Sequence, residues 1–180
     1  QHVPQADLAA AESLYAAARD FSPSSWMAKF RQARFHYDYR DQKHGLELMR
    51  QHGMVLDVPL LEGQPDIDGR LDDRFWGRAA ATKLHYQTNY FTAIPALLET
   101  QFYIARTAEA LYIGCRSADA RTDSLVGHRT GRDDQIWMED SIELFFDANL
   151  DRRSYVQFIL SHLETVFDAV HEDGIATQQR

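Results

Sequence analysis

A chain of 180 residues, 44% of them hydrophobic and 12% aromatic, can bury a core, which excludes a disordered or fibrous class. Its formal net charge of −8 disfavours nucleic acid and anionic membranes as partners. Its one cysteine, Cys115, excludes an internal disulfide and any cysteine-based metal site, and its place in an alternating segment reads as a small buried apolar residue.

No apolar run approaches the roughly 20 residues that cross a bilayer, so no membrane span is expected. No signal peptide is visible, and Gln1 and Arg180 both read as cut ends. The expectation is a processed or partial chain of something larger.

Residues 1–53 read as helical. Asp7 can cap a first helix carrying Leu8 and Leu14, which stops before Ser22-Pro23. Ser24 or Ser25 opens a longer helix through Trp26, Met27, Phe30, Ala33, Phe35 and Tyr37, with Gly45 as an interruption and Gly53 as a stop. The pair forms a helical hairpin whose face of Trp26, Phe30 and Tyr37 needs a partner, because two helices bury too little surface alone. His36 and His44 are eight positions apart, too far along one helix for a chelating pair, and read as a solvated face.

A boundary falls near residues 58–65, giving expected domains of 1–57 and 58–180. Beyond it the pattern changes to strands and turns. Asp66-Ile67-Asp68-Gly69 reads as a turn leading to Phe75-Trp76, with Trp76 in the core. Residues 100–106 alternate, with Phe102 and Ile104 on one face and Tyr103 on the other; residues 111–116 alternate again, and a short turn makes the two a hairpin. A long polar loop follows over 118–134. Residues 141–147 then alternate, with Ile142, Leu144 and Phe146 towards the core and Glu143 facing solvent or a ligand groove. A turn at 149–153, strands at 154–160 and 164–169, and a turn at 172–174 complete the reading. The expected fold is mainly β, a partial antiparallel β-sandwich preceded by an α-helical hairpin, with C-terminal strands missing.

Trp137, followed by Glu139 and Asp140, places a large ring beside fixed carboxylates, which suits a polar, ring-shaped ligand. The pairs Asp133-Asp134 and Glu139-Asp140 are adjacent in sequence and do not predict the roughly 5–9 Å carboxyl separation of glycoside hydrolysis. Ser141 and Ser161 lack a nucleophile elbow. No catalytic residue is assigned in this chain.

Ile67-Asp68-Gly69-Arg70-Leu71-Asp72-Asp73-Arg74-Phe75-Trp76 resembles the entry segment of family 9 carbohydrate-binding modules. Ala110-Leu111-Tyr112-Ile113 is similar to a later strand of that family, and Ala118-Asp119 to its acidic exit. The stretch Trp137-Met138-Glu139-Asp140-Ser141-Ile142-Glu143-Leu144-Phe145-Phe146-Asp147 resembles its W-x-x-D-S-[VI]-E-[IL]-F-[IF]-D motif, and Tyr155 to Leu160 its Y-x-Q-F strand. The matches run in order over residues 65–168. The resemblance implies a DOMON-like β-sandwich that binds a polysaccharide or oligosaccharide without catalysis. It implies a secreted, periplasmic or cell-surface protein attached to a glycoside hydrolase. It also implies that Trp137 stacks on a sugar ring and Glu143 accepts from its hydroxyls, with Asp140 and Gln157 beside them. A structural calcium would fall to Asp119 and Asp140. Two departures stand out: Gln157-Phe158-Ile159 lacks a basic residue found in some sugar-binding members, and the strands supplying a second aromatic wall are missing. Alternatives are a spacer that binds no sugar, a glycoside hydrolase fragment whose catalysis lies outside this chain, and, remotely, a haem b domain using Met138 and His162.

Overall fold

Capping side chains set the helical region. The computed structural model describes the backbone of residues 5–84, 86–89, 92–151, 153–172 and 175–179. Its helices are α1 (Gln5–Phe21), α2 (Trp26–Tyr39) and α3 (Gln42–Gln51). Asp7 lies in the first turn of α1. The Ser25 hydroxyl accepts the Ala28 N–H at 3.2 Å and starts α2. Asp41 accepts the N–H groups of Lys43 (2.9 Å) and His44 (3.2 Å), which ends one helix and begins another where the sequence reads as continuous. Three helices therefore replace the expected hairpin. Gly45 lies inside α3 and makes close packing against α2 possible: a Cβ there would fall 2.3 Å from the Tyr37 backbone nitrogen. Ala33, Phe35 and Met49 are buried, and Tyr15 packs on Phe35 at 5.2 Å between ring centres.

The His36–His44 reading also changes. His36 is 8% exposed, and its ring meets His44 edge-on at 4.8 Å. The break at Asp41 folds α3 back onto α2, so sequence separation no longer sets their distance. Burial first, then the His44 and Arg40 charges, lower the His36 pKa from 6.5; Glu12 and Asp41 act in the opposite direction.

Three strands, β1 (Ala80–Lys83), β2 (Tyr86–Asn89) and β3 (Thr92–Pro95), precede the expected hairpin of β4 (Thr100–Arg106) and β5 (Leu111–Ser117). β1, β4 and β5 form one antiparallel sheet in that order, and β2 pairs with β3. Leu61, Phe75, Trp76 and Ala105 form a buried cluster on the face that carries Tyr103 and Tyr112. Asp73 accepts the Phe75 and Trp76 N–H groups at 2.7 and 3.3 Å and turns both rings inward. Trp76 is core, as its setting suggests.

The last sheet is a meander of β6 (Ser141–Phe146), β7 (Tyr155–Ser161), β8 (Val166–Glu172) and β9 (Ile175–Gln179). Arg152 in the turn before β7, and Asp173 and Gly174 in the turn after β8, lie outside the described residues. The buried cluster here is Ile136, Ile159, Phe167 and Ala169. Ile159 and Phe167 are cross-strand partners in the row of Glu143, so the buried face is the one opposite Ile142, Leu144 and Phe146. Those three are only half-buried, and Phe158 and Leu160 on their face are exposed.

The chain divides into two compact units, Gln1–Ala118 and Asp119–Arg180. The expectation of a mainly β chain with an antiparallel sandwich is corrected. Among the described residues, a three-helix region precedes separate antiparallel sheets of three, two and four strands, a mixed helix-and-strand chain, and no closed sandwich is shown. Each ladder closes among its own strands, and the three-stranded and four-stranded sheets bury different clusters. Among the described residues, no helix is long and apolar enough to cross a membrane.

Two outcomes follow from the helical region. Gly→Ala inside a helix normally gains about 0.5–1 kcal/mol. Gly45→Ala should instead destabilise by about 1–3 kcal/mol in urea unfolding, because its Cβ meets Tyr37 backbone. The folded His36 pKa lies below the unfolded one, so its stabilising effect is present above 6.5 and is lost as pH falls through the folded value. Helical ellipticity should melt earlier at pH 5 than at pH 8, and His36→Gln should flatten that difference.

Candidate functional site

The sheet β6–β9 has one face on which polar and aromatic side chains gather. Register sets this. Phe145 pairs with Gln157 and Gln157 with Ala169; Tyr155 pairs with His171; Glu143 pairs with Ile159. Cross-strand partners share a face, so Glu143, Phe145, Tyr155, Gln157 and His171 all lie on one side.

Two rows cross three strands there. The polar row begins at Glu143, whose Oε2 accepts the Gln157 side-chain N–H at 3.0 Å. The Gln157 Oε1 lies 2.8 Å from His171 Nε2. The aromatic row begins at Phe145, 57% exposed, which meets Tyr155 edge-on at 5.6 Å. Tyr155 stacks on His171 at 4.4 Å with 13° between planes. Asp151 holds the turn before Tyr155: its carboxylate accepts the Ser154 and Arg153 N–H groups at 2.8 and 2.7 Å, and these bonds bring its pKa down to about 2.

Trp137 reaches the same face by another route. It sits in a 3-10 turn, Ile136–Met138, whose Ile136 is fully buried against the sheet. Trp137 itself is 41% exposed and packs edge-on against Phe167 at 5.1 Å. Three further links hold this segment down: Asp133 N–H to Val166 O at 3.0 Å, Thr165 Oγ1 to Arg129 O at 2.9 Å, and the Arg132–Asp168 ion pair.

The neighbouring carboxylates are engaged in holding the loop. Asp140 accepts the Val126 N–H at 2.6 Å and returns its own N–H to Val126 O at 3.1 Å. Glu139 accepts from His128 and Arg129 at 2.9 and 3.1 Å. Burial would raise its pKa, but those N–H groups, with the nearby His128 and Arg129 charges, hold it below the ordinary value. Asp119 accepts the Arg121 N–H at 2.8 Å in a local turn. Among the described residues, no cluster of three or more His, Cys, Asp or Glu side chains could hold a metal ion. Met138 is exposed in the 3-10 turn, and His162 lies in the β7–β8 turn over Gly127, whose added Cβ would fall 2.3 Å from the His162 ring.

Of the residues singled out from sequence, Trp137, Glu143 and Gln157 share a face, and Asp140 is held at the loop that leads into it. Phe145, Tyr155 and His171 were missed. The alternation Glu143–Phe145 and Tyr155–Gln157 was visible in the sequence, but which strand partners which was not. Comparison with family models, curated proteins and solved structures found no match.

Ile136→Ala should destabilise this unit by about 2–5 kcal/mol, the range for removing a fully buried Ile side chain. In the same variant, Trp137 emission should shift to the red as the turn loosens from Phe167. An unchanged denaturation midpoint would show that Ile136 does not anchor the loop.

Proposed function

We propose that this chain is a non-catalytic carbohydrate-recognition module of a secreted or cell-surface protein, serving an attached glycoside hydrolase. The observation that carries the reading is the meeting, on one sheet face, of a Glu143–Gln157–His171 polar row with aromatic surface at Phe145, Tyr155 and Trp137. A sugar ring has C–H faces that pack on aromatic rings and hydroxyl edges that need oriented donors and acceptors. The resemblance of the motifs around Trp137 and Tyr155 to family 9 carbohydrate-binding modules supports the same assignment. The acidic charge suits a neutral ligand.

Catalysis by this face is not part of the proposal. Glu143 is bonded to Gln157, and the Glu139 and Asp140 carboxylates accept backbone N–H groups of the preceding loop. A structural calcium near Asp119 and Asp140 is carried by the resemblance alone.

Calorimetric titration with an oligosaccharide panel tests the reading. Trp137→Ala should weaken the best ligand by about tenfold or more, and Glu143→Ala by a similar factor, about 1.4 kcal/mol each. A calcium contribution requires a melting temperature that rises with calcium and falls with chelator. An intact fold that gives no heat with any glycan would point instead to a spacer that binds no sugar.

A further inference from the structure

We infer that His171 is a positioning residue for the carbohydrate site proposed above. It fixes the side-chain amide of Gln157, so that Glu143 and Gln157 offer one acceptor and one donor to two adjacent hydroxyls of a sugar ring. The inference rests on the carbohydrate reading.

The direction of every hydrogen bond follows from the carboxylate. Ionised Glu143 can only accept, so the Gln157 NH2 group must point at it. The Gln157 oxygen then faces His171 Nε2 at 2.8 Å, and that nitrogen must carry the proton. His171 Nδ1 is left as a lone pair, buried and without a hydrogen-bond partner among the described residues. The reversed amide would set an oxygen against the carboxylate, so no other arrangement satisfies the row.

The orphaned Nδ1 is the second observation. A buried polar atom without a partner is uncommon and calls for a reason. Stacking on Tyr155 does not supply one, since phenylalanine would stack there with no orphan. What phenylalanine could not do is donate to Gln157. With His171 in place, Glu143 Oε1 and the second Gln157 N–H have no partner among the described residues, and their order is set. A pair of neighbouring hydroxyls matches it: one donates to the carboxylate and the other accepts from the amide.

The experiment compares the whole chain with His171→Phe and His171→Gln. Phenylalanine keeps a ring on Tyr155 and removes the donor. Glutamine restores an amide N–H near the place of Nε2. The probes are cellobiose, xylobiose, mannobiose and maltose, titrated by calorimetry. Side-chain amide NMR of Gln157 is read without ligand, and backbone amide spectra report the fold. The expected result is slow solvent exchange of the Gln157 amide in the wild type and His171→Gln, fast exchange in His171→Phe, and about tenfold weaker sugar binding in His171→Phe that His171→Gln recovers. Sugar binding by the wild type with an unchanged Gln157 amide and unchanged affinity in His171→Phe overturns the inference and leaves the carbohydrate reading standing. No binding of any probe by the folded wild type overturns both.

Discussion

Ile136 presses a loop onto a sheet. It has no exposed surface and lies against Ile159, Phe167 and Ala169. Much of the second unit depends on that contact. It decides which face of β6–β8 is buried, and it sets the neighbouring Trp137 at the margin of that face rather than inside it. The polar links between loop and sheet edge, Asp133 to Val166, Thr165 to Arg129 and Arg132 to Asp168, keep the apolar contact in register. Fully burying one branched side chain contributes about 1.5–3 kcal/mol, and these part-buried bonds add to it.

The same face shows how a carboxylate orders its neighbours. Glu139 and Asp140 each accept backbone N–H groups of the preceding loop, so their charge is used to hold chain. Glu143, four positions past Glu139, stands on a strand instead, where strand geometry directs its side chain off the sheet. It therefore meets a side chain, Gln157, rather than backbone. That difference separates carboxylates that hold backbone from one that stands on the sheet face. It also propagates, because fixing Gln157 fixes the proton on His171.

The helical region obeys a different constraint, close approach. α2 and α3 come together where Gly45 faces Tyr37, and the same approach brings His44 to the buried ring of His36. Two imidazoles that are far apart along the chain thereby meet, and burial together with the His44 charge disfavours the charged form of His36. The exposed Trp26 stacks on the half-buried Phe30 of α2 at 5.1 Å. They line a cavity of about 630 Å³ with residues 52–56 and 81–84.

Local chemistry was legible from the sequence alone. Ser25 as a cap, the β4–β5 hairpin, Trp76 in a core and the alternation of residues 141–147 each depend on neighbours a few positions away. Trp137, Glu143 and Gln157 were marked by alternation and a motif resemblance, and the structure places them on one face. The tertiary structure decided the rest. Asp41 reads equally well as a polar position within a helix, and only its bonds to Lys43 and His44 make it a cap. Period-2 alternation separates two faces of a strand but does not say which is covered; Ile136 settled that for β6 and reversed the expected core face. Tyr155 and His171 entered the site through cross-strand register, which depends on turn lengths and pairing partners rather than on the strands themselves. Separate ladders in place of one sandwich have the same origin, because the pattern within a strand does not specify which sheet it joins.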